Sequence, residues 1–530
     1  MVSVLTADQA AALIQDRWTV ATAGFVGAGH AEAVTSALER RFLAHSQPRE
    51  LCLVYSAGQG DRGNKGVNHF GHAGLTTRII GGHWRSAPRL STLALNNQAE
   101  AFNLPQGVIT HLYRAIAGDK PGVITKTGLH TFVDPRHGGG KLNECPPPPG
   151  QENKPLVKLL TIDGQEYLQY VPFKIHCALL RGTSADAQGN ISCEDEAFHH
   201  ELLAIAQAAK NSGGIVIAQV KYLNDKAGPP NLVRVPGILV DHIVVVGDDP
   251  ELHAMTFAER SNPAYTAAAP HTIGNPSGVV QAIKFKSELL TPRVLAQRRA
   301  ALEIATHKPR IVNLGVGMPA NVGSTAQAAG ISGFVLTVEA GPIGGTPADG
   351  LSFGASAYPQ AIVDQPAQFD FYDGGGIDMA FLGIGEFDVQ GNVNVSMFGE
   401  GATRIIAGVG GFINISQATR TLVFVGTLTA GGLEIAVDDG KLRIVKEGRS
   451  AKLVEKVSHL SFNAPYVASL GTRILFVTER AVFALDEQNH LMLTEIAPGL
   501  DLEKDVLAQC PKSITVSPRL REMDSRVFVA

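Results

Sequence analysis

A chain of 530 residues is longer than one hydrophobic core usually organises, so two or more domains are expected. It is 45% hydrophobic and 18% charged, with a net charge of −4 and no long basic or acidic block, which leaves no footprint for nucleic acid or an anionic membrane surface. Five scattered cysteines, none spaced C-x-x-C, argue against a disulfide framework or a zinc site and suit a reduced cytoplasm. The N-terminus shows no secretory signal, and the longest apolar runs, such as 237–247, are too short to cross a bilayer.

In chain order, Thr6-Ala-Asp8-Gln9 reads as a capping box ahead of a helical stretch over 10–14. An apolar strand over 18–24 then runs into Gly27-Ala-Gly29. Strand-like runs at 51–56, 214–220 and 238–246 alternate with helical ones such as 198–210. That alternation predicts α/β architecture with mostly parallel sheets. Residues 144–154, with Pro146-Pro-Pro-Pro149, predict a stiff exposed loop. The Ala-, Pro- and Gly-rich stretch 267–278 is the best linker, and a charged helix over 292–307 follows.

The second half opens like the first, with a strand over 311–314 running into Gly315-Val-Gly317. A sharper echo follows. Residues 177–180 lead to Asp186-Ala-Gln188-Gly189-Asn190-Ile191, and 379–382 lead to Asp388-Val-Gln390-Gly391-Asn392-Val393. The Gly-Asn pair suits a tight turn between strands. We read two copies of one α/β domain: residues 1–270, carrying an insertion over about 60–175, and 293–530, joined by a linker at 271–292. A ligand between two such domains is the default expectation.

The densest run of unusual residues is Leu336-Thr-Val-Glu339-Ala-Gly341-Pro342-Ile-Gly344-Gly345-Thr346. An apolar strand ending in one carboxylate and then glycines places that side chain at the carboxyl edge of a sheet, where open α/β sheets bind ligands. From the residues alone, Glu339 is either a cap or ion-pair acid at a loop, or a ligand-facing carboxylate. Gly315-Val-Gly317-Met-Pro-Ala320 fits a dinucleotide fingerprint with Glu339 as the ribose acid. Such a fingerprint has no need of the second glycine cluster. Further Gly-rich loops, at 55–63, 373–378 and 408–411, are each compatible with a plain tight turn, and together they could supply backbone N–H donors to an anion. His199-His200-Glu201 after Glu194-Asp195-Glu196 suggests a metal site, but acids in a first helical turn already suit its dipole. No further ligand is evident, and no metal is expected.

At Glu339 the sequence resembles the catalytic segment of class I CoA-transferases, in Val338-Glu339-Ala-Gly341-Pro-Ile-Gly344-Gly345. The likeness runs end to end, through Ala23–His30, 55–63, Asn68-His69-Phe70, 128–135, 338–350 and 426–432, and is closest to bacterial propionate/acetate CoA-transferases. The resemblance implies two similar open α/β domains of the CoA-transferase (NagB/RpiA-like) fold, with α-type and β-type halves. It implies a homo-oligomer, commonly a tetramer, and ping-pong transfer of CoA between short-chain acyl-CoA and carboxylates. Glu339 would carry the γ-glutamyl-CoA thioester. Gly315, Val316, Gly317, Gly344, Gly345, Gly410 and Gly411 would form oxyanion and CoA-binding loops, with Gly27, Gly29 and Gln59 lining the substrate. No cofactor would be bound permanently, since coenzyme A enters as substrate and leaves as product. The proline tract at 146–149 is the one departure from the pattern. Three rival activities follow from the same residues: an acyl-CoA hydrolase on this scaffold, a non-catalytic binder of CoA or sugar phosphates, and an NAD-dependent dehydrogenase.

Overall fold

Short, continuously apolar runs are the mark of strands covered on both faces, and they form the centre of each half of this chain. The computed structural model describes residues 2–152, 154–269 and 283–529. It divides into two compact units: Met1–Ala269 with Val338–Asp370 and Gly399–Asn414, and Pro270–Thr337 with Phe371–Phe398 and Ile415–Ala530.

The first unit is built on an eight-stranded sheet. Its strands are β1 (Ser3–Leu5), β2 (Thr19–Thr22), β3 (Leu51–Tyr55), β4 (Thr76–Gly81), β5 (Glu100–Asn103), β6 (Cys177–Arg181), β7 (Ile215–Val220) and β8 (His242–Val245). The order is β1-β8-β7-β6-β2-β3-β4-β5, and every neighbouring pair is parallel. Val20 stands opposite Leu53 on one side and Cys177 on the other. All five residues of β6 are buried, as the centre of a sheet covered on both faces requires.

The second unit repeats this plan with β9 (Ile311–Leu314), β10 (Val335–Thr337), β11 (Met379–Gly383), β12 (Thr421–Val425) and β13 (Arg473–Val477). These lie parallel in the order β10-β9-β11-β12-β13. That is the order β3-β2-β6-β7-β8 of the first unit, so the duplication read from the sequence is present in the topology. Antiparallel strands β14 (Ala481–Leu485) and β15 (Leu491–Ile496) and a last strand β16 (Thr515–Glu522) extend it. Helix Pro292–His307 has the expected bounds: Thr291 caps the Val294 N–H, Pro292 occupies the first turn, and Lys308 closes it in the left-handed region. Its Leu295, Ala301 and Ile304 join Val312, Phe381 and Val423 in the core.

The repeated motif is one structural device used twice. Asp186 accepts from the Gln188 and Asn190 amides and from Asn190 Nδ2. Asp388 does the same for Gln390 and Asn392. Gly189 and Gly391 supply the positive φ, at 83° and 76°. A third version lacks the Gly-Asn pair: Asp486 holds Gln488 and His490 between β14 and β15, with Asn489 at φ 60° in the glycine's place.

Three expectations need correction. The helix expected over 198–210 runs Leu202–Asn211, because His200 adopts φ 53° and turns Phe198 into the core. The strand expected over 238–246 is a 3-10 turn, Gly237–Leu239, followed by β8. Residues 60–175 are not a simple insertion: β4 and β5 extend the main sheet, while Val123–Thr125, Val157–Ile162 and Gln165–Tyr170 form a separate antiparallel sheet. The proline loop is anchored, since Arg78 Nη1 donates to Gln151 Oε1 at 3.1 Å. Most of the expected linker, 271–282, lies outside the described residues.

Candidate active site

Glu339 lies two residues beyond β10, at the head of a glycine turn in the first unit. The turn is closed by the Val338 N–H on the Pro342 carbonyl at 3.0 Å and the Gly341 N–H on the Val338 carbonyl at 3.0 Å. Pro342-Ile343 then pairs antiparallel with Ala361-Ile362. Gly341 has φ 130°, and a Cβ there would lie 2.1 Å from the Val363 carbonyl oxygen. No other residue fits that contact. Glu339 is 8% exposed, and its neighbours Val338 and Ala340 belong to an apolar cluster with Phe25, Phe198, Met255 and Phe353.

Several buried polar contacts within this unit hold the surroundings in place. Arg181 and His253 clamp Glu196 at 2.6 and 2.8 Å, all three side chains being buried. Burial alone would raise the Glu196 carboxyl, but Arg181 and His253 outweigh it and hold the group far below its ordinary range. Arg181 also reaches the Met255 carbonyl. From that segment Thr256 Oγ1 meets Ser352 Oγ at 2.8 Å, and Ser352 Oγ donates to Glu259 at 2.8 Å. The Phe257 N–H donates to the Gly27 carbonyl at 2.9 Å. Loops 25–29, 255–265 and 350–358 are thus tied together around the Glu339 turn.

The expected site residues are placed as follows. Gly344 and Gly345 bend the hairpin, with φ 77° and 73°, against Gln360 and the Ala357 carbonyl. Gly410 has its N–H on the Gly82 carbonyl at 2.7 Å, so in this conformation that group is not available to a ligand; Gly411 follows it in the same loop. Gly27 and Gly29 are packing positions: a Cβ would lie 2.3 Å from the Leu351 carbonyl in one case and 1.9 Å from His200 Nε2 in the other. Gln59, expected against substrate, is fully buried and turned inward. Its Oε1 accepts from Thr22 and faces His30 Nδ1, and its Nε2 donates to the Thr22 carbonyl. In the second unit, the Gly315 N–H donates to the Phe381 carbonyl at 2.8 Å. Val316 is 53% exposed, and a Cβ on Gly317 would meet nothing within 4 Å. Those two positions are the open part of that loop.

Sequence reasoning weighed Glu201 only as a metal ligand and missed Ser56 and Gln365, which join it in a buried chain described below, and Val26, which holds φ 50° beside this site. A β-branched residue at positive φ is a strained conformation of the kind that collects at functional sites. Nothing in a single sequence marks it. The His199-His200-Glu201 run forms no metal cluster; among the described residues no three His, Cys, Asp or Glu side chains are arranged to hold one.

The family model of coenzyme A transferase matches residues 4–246. The chain is similar to the caffeate CoA-transferase of Acetobacterium woodii, 42% identical over 100% of this chain and 98% of that one. It is also similar to the acetate CoA-transferase YdiF of Escherichia coli K12, 40% identical over 100% and 95%. The acyl-CoA transferase YdiF of Escherichia coli O157:H7 superposes with TM-score 0.89 as apoenzyme, at 38% identity over 100% of this chain and 96% of that one. Its thioester complex with CoA gives 0.88. Fold and likeness together define an enzyme that transfers coenzyme A. The chain belongs to the coenzyme A transferase family, and no described helix is long and apolar enough to cross a membrane.

Proposed function

We propose that this enzyme exchanges CoA between short-chain acyl-CoA and free carboxylates through a γ-glutamyl-CoA thioester on Glu339. The observation that carries the reading is a nearly buried carboxylate on a glycine turn, flanked by Val338 and Ala340 in an aromatic cluster, in a chain 38% identical to one solved as a thioester complex with CoA. A free glutamate ionises near pH 4.3, about 3 units below neutral, and so needs no general base to become a nucleophile. Its oxygen attacks the acyl carbonyl carbon, the C–S bond breaks, and CoA leaves as thiolate from a glutamyl–acyl anhydride. The thiolate then attacks the glutamyl carbonyl carbon, releasing the first acid as carboxylate. A second carboxylate runs both steps backwards with its own acyl group. Thioester replaces thioester, so no external energy source is needed.

The intermediates hydrolyse if water reaches them, and the apolar cluster around Glu339 suits their protection. Gly344, Gly345 and Gly411 are the backbone N–H groups assigned to the oxyanion and the CoA chain. In this reading residues 1–270 are the α-type half and 293–530 the β-type half that carries Glu339. The enzyme works in the cytoplasm as a homo-oligomer, for which the 89% exposed Ile238 offers an apolar contact. The relatives named for acetate and caffeate make both acids acceptors worth offering beside propionate.

The test follows isotopic label from acetate into acetyl-CoA with propionyl-CoA as donor. Native protein is expected to transfer label and Glu339→Gln to transfer none. Release of free CoA alone would make it a hydrolase, and label transfer by the variant would remove Glu339 as carrier.

A further inference from the structure

Behind the Glu339 turn, three loops of the first unit are joined by a chain of buried side chains. Ser56, which follows β3, donates from Oγ to Glu201 Oε1 at 2.6 Å. Gln365 Nε2 donates to the same Ser56 Oγ at 3.0 Å. The Gln365 N–H is fixed as well, on the His200 carbonyl at 2.9 Å. All three side chains are fully buried. We propose that Glu201, as a neutral carboxylic acid acting through Ser56 and Gln365, is a positioning residue for the glutamate that carries CoA.

The path from Gln365 to Glu339 is short and made of backbone. Gln365 ends the segment whose Ala361 and Ile362 pair with Ile343 and Pro342. Two residues before it, the Val363 N–H donates to the Gly341 carbonyl at 3.1 Å, and the Val363 carbonyl sits against the Gly341 Cα. Clamping Gln365 from both its amide and its side chain therefore fixes the wall on which the Glu339 turn closes. A misplacement of about 1 Å at such a group is enough to cost a hundredfold in rate.

The charge state follows from the surroundings. Glu201 accepts from Ser56 on Oε1 and from its own backbone N–H, and Oε2 has no hydrogen-bond partner among the described residues. Among the described residues no cation is paired with it: His111, on the helix Gln106–Ala117, faces Asp370 and the Pro366 carbonyl. Tyr113, from helix Gln106–Ala117, is buried and held well above its ordinary range. Asp364 adds negative charge, and Arg114 is spent on Asp364 and Asp370. His200 on the same turn is lowered by burial to about 3 and stays neutral. Burial first, and then Asp364, push the Glu201 carboxyl up to about 8 against the pull of Ser56. Above that pH an unpaired charge is forced into the chain, which must open to hydrate it.

The role rests on Glu339 as carrier, and the experiment separates the two. Initial rates of label exchange are measured from pH 6 to 9.5 for native enzyme, Glu201→Gln, Ser56→Ala and Glu339→Gln, after subtracting spontaneous thioester hydrolysis. For native enzyme kcat is expected to fall about tenfold between pH 7 and 9 with KM for acyl-CoA unchanged, the fall expected when one group near pH 8 must stay protonated. Glu201→Gln cannot ionise, so its rate is expected to be flat across that window. Ser56→Ala cuts the link between Glu201 and Gln365, so its kcat is expected to be low across the range and its alkaline limb to disappear. A native-like alkaline limb in Glu201→Gln or in Ser56→Ala overturns the role. Should Glu201→Gln fail to fold, the Ser56→Ala limb decides alone. Exchange by Glu339→Gln would instead refute the carrier and leave the pH comparison readable.

Discussion

His69, in the Asn68-His69-Phe70 motif, is the residue whose loss the structure prices most directly. It stands between two carboxylates of helix Glu32–His45, with Nε2 2.7 Å from Glu32 and Nδ1 2.5 Å from Glu39, and the three side chains are 9%, 6% and 16% exposed. Burial would lower the imidazole, but the hydrogen bonds and charges of Glu32 and Glu39 outweigh it and hold it at about 9. From the other side, Glu39 is drawn down to about 2 by His69 and His72, against its burial. A histidine held at about 9, against about 6.5 in an unfolded chain, contributes about 3 kcal/mol. That is present in full below pH 6.5 and lost as pH rises through 9. The two shifts describe one interaction and are not added. At about 2 °C per kcal/mol for a unit of this size, His69→Gln should melt about 6 °C below native at pH 6, and the gap should close by pH 9.5. Thermal melts of both proteins from pH 6 to 10 measure it. Taking the difference removes Glu201, whose raised carboxyl also costs the native state stability, increasingly from pH 4.5 to about 8. A gap that stays constant across the window would refute the assignment of a charged His69.

Two substitutions test the packing and the turn device. Gly29→Ala puts a Cβ 1.9 Å from His200 Nε2 at φ 77°, so it should lower the melting temperature by several degrees; His200→Ala in the same chain should recover part of that loss, a non-additivity read by a double-mutant cycle. Asp388→Ala strips four donors, including the Val457 N–H, from a residue 1% exposed, and should cost about 3 kcal/mol. Asp486→Ala frees only two, in an exposed turn, and should cost less than about 1 kcal/mol by the same measure, urea unfolding.

What was legible in the sequence was what local chemistry decides. The capping box at Thr6 and Gln9, helix Pro292–His307 and strand Ile311–Leu314 formed as expected, because caps, a leading proline and a short apolar run act over a few residues. The Asp-x-Gln-Gly-Asn echo survived because one aspartate organises each turn. The glycines were harder. Gly27, Gly29 and Gly341 are glycine because a Cβ would strike a carbonyl or a ring, whereas Gly317 faces open space, and the sequence has one letter for both. Gln59 reads as polar and ligand-facing, yet its amide is consumed by Thr22 and His30. The left-handed turn at His200, which ends the predicted helix early and delivers Glu201 to Ser56, depends on residues far away in the chain. No local pattern records it.

The same distinction sorts the acids. Besides Glu339, the buried acidic side chains described in the first unit are Glu32, Glu100, Asp134, Asp186, Glu196 and Glu201. Glu32 is held by His69 and the Gly66 N–H, Glu100 by Arg78, and Asp134 by Arg136 and two backbone amides. Asp186 is spent on its turn, and Glu196 is locked by Arg181 and His253. A carboxylate engaged in such bonds would have to break them to attack a thioester, at about 1.5–3 kcal/mol for each charged hydrogen bond. Glu201 is held by Ser56, and burial pushes its carboxyl up to about 8, so that at neutral pH the protonated form, which is no nucleophile, predominates. Environment, not residue type, divides these acids among structural, positioning and reacting parts. Each of these six is given a structural or positioning part by a contact or a proton that can be named, and the proposal for Glu339 stands on its glycine turn and apolar surroundings instead.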